Sequence, residues 1–167
     1  MSTPEELKEK FWKAVKSDRT MMLGLAHVDD AHTRPMTAML DDAGQDGPAH
    51  GPIWFFSSVD TDIVRAVTAD SRAVATFADK GHGLFACVHG RLVRDDDRAV
   101  IERLWNPFIA AWYEGGKTDP KLALLRFDAE EAQIWHDGSS LLAGVKMLLG
   151  IDPKQSYRDH VASVRLT

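Results

Sequence analysis

Apolar residues recur at two different spacings along the chain, and each change of spacing marks a new element. Leu7, Phe11, Ala14 and Val15 follow a helical interval. Ahead of them stand Thr3, Pro4 and Glu6, which suit an N-cap, a first-turn proline and a capping-box glutamate. A helix over about residues 4–16 is expected. Two short apolar runs, 21–27 and 35–40, flank a polar stretch and read as an antiparallel pair of strands. Residues 41–52 are rich in Gly, Asp and Pro, which predicts an exposed loop. A compact strand at 53–56 and a short helix marked by Ile63, Val64 and Val67 come next. Strands at 73–78 and 84–93 then form a hairpin. The aspartates at 95–97 open a helix with Val100, Leu104 and Phe108 as its buried stripe and Pro107 as a kink. Beyond the break at Gly115 and Gly116, strands at 122–127 and 132–136 precede a terminal helix at 141–149 and a polar tail. Many short strands with few helices predict a small, mainly β barrel with flanking helices.

The length of 167 residues fits a single domain, 1–167, with residues 141–167 as its C-terminal helix or tail. Apolar residues make up 44% and charged residues 27%, which excludes disorder. A formal charge of −5 argues against nucleic acid and against an anionic membrane surface as partners. The charged start, MSTPEELKEK, does not read as a secretory signal, and the most apolar stretch, 141–151, is short and interrupted by Lys146. A soluble, cytoplasmic protein is expected. One cysteine, Cys87, excludes an internal disulfide and a cysteine-rich zinc cage, and its apolar surroundings suit a core filler. The seven histidines show no H-E-x-x-H spacing, so no metal site is expected.

Three segments bear on chemistry. Residues 81–86 spell G-x-G-x-x-A, the string of a dinucleotide-binding turn, but a strand follows where that turn needs a helix. A hairpin is the better reading. Trp54, Phe55, Phe56, Ser57 and Ser58 form a strand that delivers hydroxyls, with Thr61, to a helix start. Backbone amides and hydroxyls there can cradle a phosphate, or the same side chains can simply cap the helix, as Asp60 and Asp62 favour. Arg34, followed by Pro35, Met36 and Thr37, places a forked cation at the start of a strand. Trp105, Trp112, Tyr113 and Trp135 are candidates for a flat wall against a planar cofactor.

In order, these pieces resemble the general stress protein 26 branch of the pyridoxamine 5′-phosphate oxidase-like, FMN-binding split-barrel superfamily. The matching strings are HTRPM at 32–36, WFFSS at 54–58, AVATFAD at 73–79 and HGRLVRDDDRAVIERLWNPF at 89–108. AWYEGGKTDPKLALLRF at 111–127 and AEEAQIW at 129–135 continue the match, so it covers about residues 4–140. The resemblance implies a six-stranded split β-barrel, homodimeric, with two flavin sites at the interface. FMN is the implied cofactor, with FAD as the other candidate. Arg34, Pro35, Met36 and Thr37 would line the ring and ribityl chain. Phe55, Phe56, Ser57 and Ser58 would run along the ribityl phosphate, with Ser58 and Thr61 donating to it. The partner's Trp112 and the turn carrying Lys117 would lie near the isoalloxazine.

The sequence departs from its relatives at two places. Where they carry basic residues at the helix start after FFSS, this chain has Asp62 and Ile63, with Arg65 nearby. The arginine-rich C-terminal substrate motif of true pyridoxamine-phosphate oxidases is missing, so that activity is not expected. Two functions follow from the resemblance. One is a flavin-binding general stress protein with weak FMN-dependent oxidoreductase activity. The other is a non-enzymatic flavin carrier or sensor, or a barrel that has lost its cofactor. A deazaflavin or haem ligand has less motif support. No residue stands out as a catalytic acid or base.

Overall fold

The computed structural model describes residues 2–28, 32–42, 51–136 and 161–167. Helix α1, Pro4–Asp18, starts as expected: the Thr3 hydroxyl accepts from the Glu6 amide and the Glu6 carboxylate accepts from the Thr3 amide. It runs directly into β1, Thr20–Leu25, which pairs antiparallel with β2, Arg34–Thr37. Only Ala38 separates β2 from β3, Met39–Leu40, which pairs with β4, Ile53–Ser58. After α2, Asp62–Ala66, the hairpin of β5, Arg72–Ala78, and β6, Leu84–Arg94, forms the middle of the sheet. Helices α3, Arg98–Leu104, and α4, Pro107–Ala110, and a 3-10 turn at Gly116–Thr118 lead to the long β7, Leu122–His136. The chain ends in β8, Val161–Arg165.

The strand order is β2-β1-β5-β6-β7-β4-β3, with β8 added to β7. Because β2 and β3 are consecutive pieces of one stretch, the two ends of this order meet there, and the antiparallel sheet curls into a nearly closed barrel. The split-barrel class is as expected, but the strand count is seven rather than six when β2 and β3 are taken as one. The seventh is β8, which lies in the segment expected to be helix or polar tail. Val164 and Leu166 give it a reason to fold back, since both are buried against the core with Leu7, Phe11, Trp12 and Val15 of α1. The expected helix at 141–149, and loop residues 43–50, lie outside the described residues.

Residues 122–127 and 132–136 form one strand, not two. The apolar alternation that places Phe127 and Ala129 inside slips by one residue before Ala132 and Ile134. Opposite the slip, His89 pairs with Glu131 and Gly90 with Ala129, so Glu130 is the extra residue of a β-bulge. Its carboxylate meets the Arg72 guanidinium at 2.8–2.9 Å, and its carbonyl accepts from the Leu166 amide at 2.9 Å. Residues 81–86 form the expected hairpin turn and the start of β6, with His82 at φ 54° and the Leu84 amide on the Asp79 carboxylate. Cys87 is half-buried on the outer face rather than a core filler, with its Sγ 3.5 Å from His89 Nε2. Burial pushes its thiol pKa up.

Strand β4 is covered on both faces, which is why it reads as an unbroken apolar run. Ile53 and Phe55 enter the barrel core, whereas Trp54 and Phe56 meet a second cluster. That cluster includes Met39, Val100, Ile101, Leu104, Ile109, Tyr113 and Leu124. Phe108 is not in the expected stripe: it is 86% exposed, because the break at Pro107 turns Ile109 inward instead.

Candidate functional site

A cleft of about 660 Å³ opens between β2, the end of β4 and the α4 segment. Its volume is in the range of small-molecule sites. Local rules account for how each wall is held. Asn106 caps α4, its side-chain oxygen accepting from the Phe108 and Ile109 amides at 2.9 and 3.1 Å. One turn on, the Tyr113 hydroxyl donates to the Ser57 carbonyl at 2.7 Å and ties this segment to β4. The turn behind it is closed by Asp119, whose carboxylate accepts from the Lys121 and Gly115 amides at 2.8 and 2.9 Å. Those bonds hold the Asp119 pKa below its ordinary value. Burial, and then the charge of Asp119, push the Tyr113 hydroxyl up to about 12, so it stays a donor at neutral pH.

At the end of β4 the hydroxyls divide into committed and free. Thr61 donates to the Ser58 carbonyl at 2.8 Å, which leaves the Ser57 hydroxyl to donate to Thr61 Oγ1 at 3.1 Å. The Ser58 oxygen accepts a long bond from the Asp60 amide at 3.4 Å, and its own proton has no partner among the described residues. Thr61 is the N-cap of α2 but makes no side-chain cap, so the first amides of that helix keep no side-chain acceptor. The simple-capping alternative therefore does not hold for Thr61.

The structure brings Arg34, Pro35, Met36, Thr37, Phe56, Ser57, Ser58, Thr61 and Trp112 onto one cleft. Phe55 lies elsewhere, whereas the expectation for Trp112 and Lys117 concerned the partner's copies, so their places in one chain do not bear on it. Phe55 is fully buried in the barrel core, because successive strand residues point to opposite faces and Phe56 takes the cleft side. Lys117 forms an ion pair with Glu102 of α3, and Arg98 holds its carbonyl. Of the aromatic candidates, Trp112 and Tyr113 line the cleft. Trp105 packs edge-on to Phe56 behind it, and Trp135 sits beyond the bulge, paired with Phe85. Arg19, Met39, Asn106, Phe108 and Ile109 complete the lining without having been expected there. Helix-cap rules identify Asn106, but nothing local to Arg19 points to a ligand.

Cations dominate the cleft. Among the described residues neither Arg19 nor Arg34 forms an ion pair, whereas Arg65 faces Asp60 at 3.9 Å and Asp62 is exposed to solvent. Among the described residues, no group of three or more His, Cys, Asp or Glu is placed to hold a metal ion. No helix among them is long and apolar enough to cross a membrane.

Comparison with known proteins agrees with this architecture. The family profile described as pyridoxamine 5′-phosphate oxidase like matches residues 6–157. The chain belongs to that family. Solved structures place it in the general stress protein 26-like split-barrel branch. A protein assigned to a general stress family from Xanthomonas campestris pv. campestris is 56% identical, with a TM-score of 0.75 over 84% of this chain and 93% of its own. The general stress FMN/FAD binding protein of Xanthomonas citri is also 56% identical, with a TM-score of 0.74 over 81% and 92%. A protein assigned as general stress protein 26 from Jannaschia sp. CCS1 is 29% identical, with a TM-score of 0.76 over 98% and 99%. No curated protein matches the chain.

The tie between Tyr113 and Ser57 gives a first prediction. Tyr113→Phe keeps the buried ring but removes one of the hydrogen bonds to the Ser57 carbonyl, which still lies opposite Ala123 in the β4–β7 ladder, in a residue only 8% exposed. Stability is expected to fall by about 0.5–1.5 kcal/mol, the usual net contribution of one hydrogen bond. Urea unfolding measures it, and an unchanged midpoint would show that water replaces the bond.

Proposed function

We propose that the protein binds a flavin, FMN, in this cleft and works as a homodimeric flavoprotein of the general stress type in the cytoplasm. The observation that carries the reading is the meeting of Arg34–Thr37 with Phe56, Ser57, Ser58 and Thr61 on one cleft. The residues fit the group. Arg34 and the free Ser58 hydroxyl would hold the phosphate beside the uncapped start of α2. Pro35, Met36, Phe56 and Trp112 offer apolar surface for the ring, and Thr37 a polar contact. The flavin, when bound, would supply the electron-transfer chemistry, while the chain binds and orients it and shields it from water. Exposure of Trp112 (84%) and Phe108 (86%) at the cleft mouth supports a second copy covering them.

The X. citri relative, an FMN/FAD binding protein, supports the cofactor class. An absorption spectrum of freshly purified protein, with mass spectrometry of any released ligand and an FMN titration, tests the reading. Bound oxidised flavin, released as FMN, is the expected result. A colourless protein that takes up no FMN would overturn it. That outcome would favour the second reading, a barrel without cofactor, for which the specific observation is Asp62 and Ile63 in place of a helix-start base. Reduction of the loaded protein by NADH or NADPH separates an oxidoreductase from a carrier or sensor. Light scattering tests the dimer.

A further inference from the structure

Arg19 occupies a position that is costly for an arginine and unnecessary for the fold. It is the C-cap of α1 in the left-handed region, at φ 58°, where helices commonly place glycine. Backbone bonds fix it on both sides, with its amide on the Val15 carbonyl at 3.0 Å and its carbonyl accepting from the Ala38 amide at 2.6 Å. Glycine can make both. The side chain is oriented as well: Nε donates to the Lys16 carbonyl at 3.3 Å, and the two Nη groups have no partner among the described residues. The neighbouring acids are taken by other groups. Asp42 pairs with Lys16 at 2.6 Å, Asp41 with Arg103 at 2.6 Å, and Asp18 accepts from the Lys80 amide at 2.8 Å. An oriented guanidinium in a left-handed backbone on a cleft wall is the kind of outlier that functional sites retain.

Its place along the cleft distinguishes it from Arg34. In the β1–β2 register Leu23 faces Arg34 and Thr20 faces Thr37. Arg19 therefore precedes the partner of Arg34 by four residues, about 13 Å of strand. Met39 faces Trp54 on the other side, so Arg19 lies toward the Trp54 end of β4 and Arg34 toward Ser58. One phosphate held at Ser58 does not also account for Arg19.

We infer that Arg19 is a second anion-recognition point, at the end of the cleft away from the Ser58–Thr61 cradle. It takes a phosphate or carboxylate. That group belongs either to the dinucleotide part of a larger flavin or to a second small molecule that shares the cleft. The inference deepens the flavin reading and rests on it for what fills the rest of the cleft.

Arg19→Gly is the decisive variant, because glycine relieves the left-handed backbone. Its thermal midpoint should equal or exceed that of wild type, so any lost binding is not lost folding. Inorganic pyrophosphate is the probe, titrated against FMN-loaded protein by calorimetry. The Arg19→Gly dissociation constant should be about tenfold or more above wild type, with Arg19→Lys in between. Titration with FAD and FMN identifies the source of the anion. A loss for FAD well beyond that for FMN assigns it to the flavin. A loss for pyrophosphate alone assigns it to a second molecule. Pyrophosphate and FAD affinities within about twofold of wild type would overturn the inference. If wild type takes up no flavin, the flavin reading fails on its own, and pyrophosphate titration of the flavin-free pair still decides the role of Arg19.

Discussion

Arg34→Ala should raise the dissociation constant for FMN by about ten- to a hundred-fold, since a hydrogen bond to a charged group contributes about 1.5–3 kcal/mol. Riboflavin, which has the ring and ribityl chain but no phosphate, should lose little. The size of the effect follows from how few cations are available. A helix-start base would normally share the phosphate charge, but Asp62 and Ile63 stand there, and Arg65 turns to Asp60 instead. Arg34 has no ion pair among the described residues, so it carries no stabilising partner that the alanine would break. Its guanidinium is also the better half of the grip, because it donates through a fork where Ser58 offers one proton. Parallel titrations of both ligands by fluorescence quenching measure the contrast. An equal loss for FMN and riboflavin would mean that Arg34 positions the β2 backbone and does not hold the phosphate.

How much of this site could be read from the chain depended on how local each feature is. RPMT and FFSS each read as a short strand from their own residues, so the two walls of the cleft were legible, whereas the pairing of FFSS with the distant β7 was not. The capping box of α1 and the hairpin that turned G-x-G-x-x-A into a decoy were legible too. Strand alternation separates Phe55 from Phe56, since neighbours point to opposite faces and Phe55 takes the one that packs into the barrel core. Lys117 is different. Its place on Glu102 depends on how a 3-10 turn packs on α3, which no spacing encodes. Arg19 reaches the cleft only because the barrel closes through Ala38, a contact between the end of a helix and a strand pair far along the chain. The missed continuity of β7 has the same origin. The slip at Glu130 looks like a strand end until Arg72 and the Leu166 amide, both distant in sequence, are seen to hold it as a bulge.

That bulge makes Gly90→Ala the most damaging small substitution expected in the described part of the fold. A Cβ at Gly90 would stand 2.1 Å from the Asp128 carbonyl oxygen and 3.0 Å from the Phe127 ring. Neither is the loose end of a flexible side chain: one is backbone and the other is fully buried in the core. The strands must therefore separate or shift register. Overpacking a well-filled interior costs about 1–3 kcal/mol and occasionally more, and a backbone collision belongs at the upper end. A loss of about 3 kcal/mol would lower the thermal midpoint of a domain this size by roughly 6–12 °C. The damage should also reach the cleft, because β7 pairs with β6 through the bulge and with β4 along its first half, from Leu122 opposite Ser58 to Phe127 opposite Ile53. Shifting β7 moves the strand that presents Phe56, Ser57 and Ser58. Gly115→Ala is the control: its Cβ meets Asp119 no closer than 3.0 Å, on an exposed turn that can give way. A Gly90→Ala protein that unfolds within a degree or two of wild type would show that β6 and β7 can part at the bulge without strain. The bulge and the cleft would then be uncoupled.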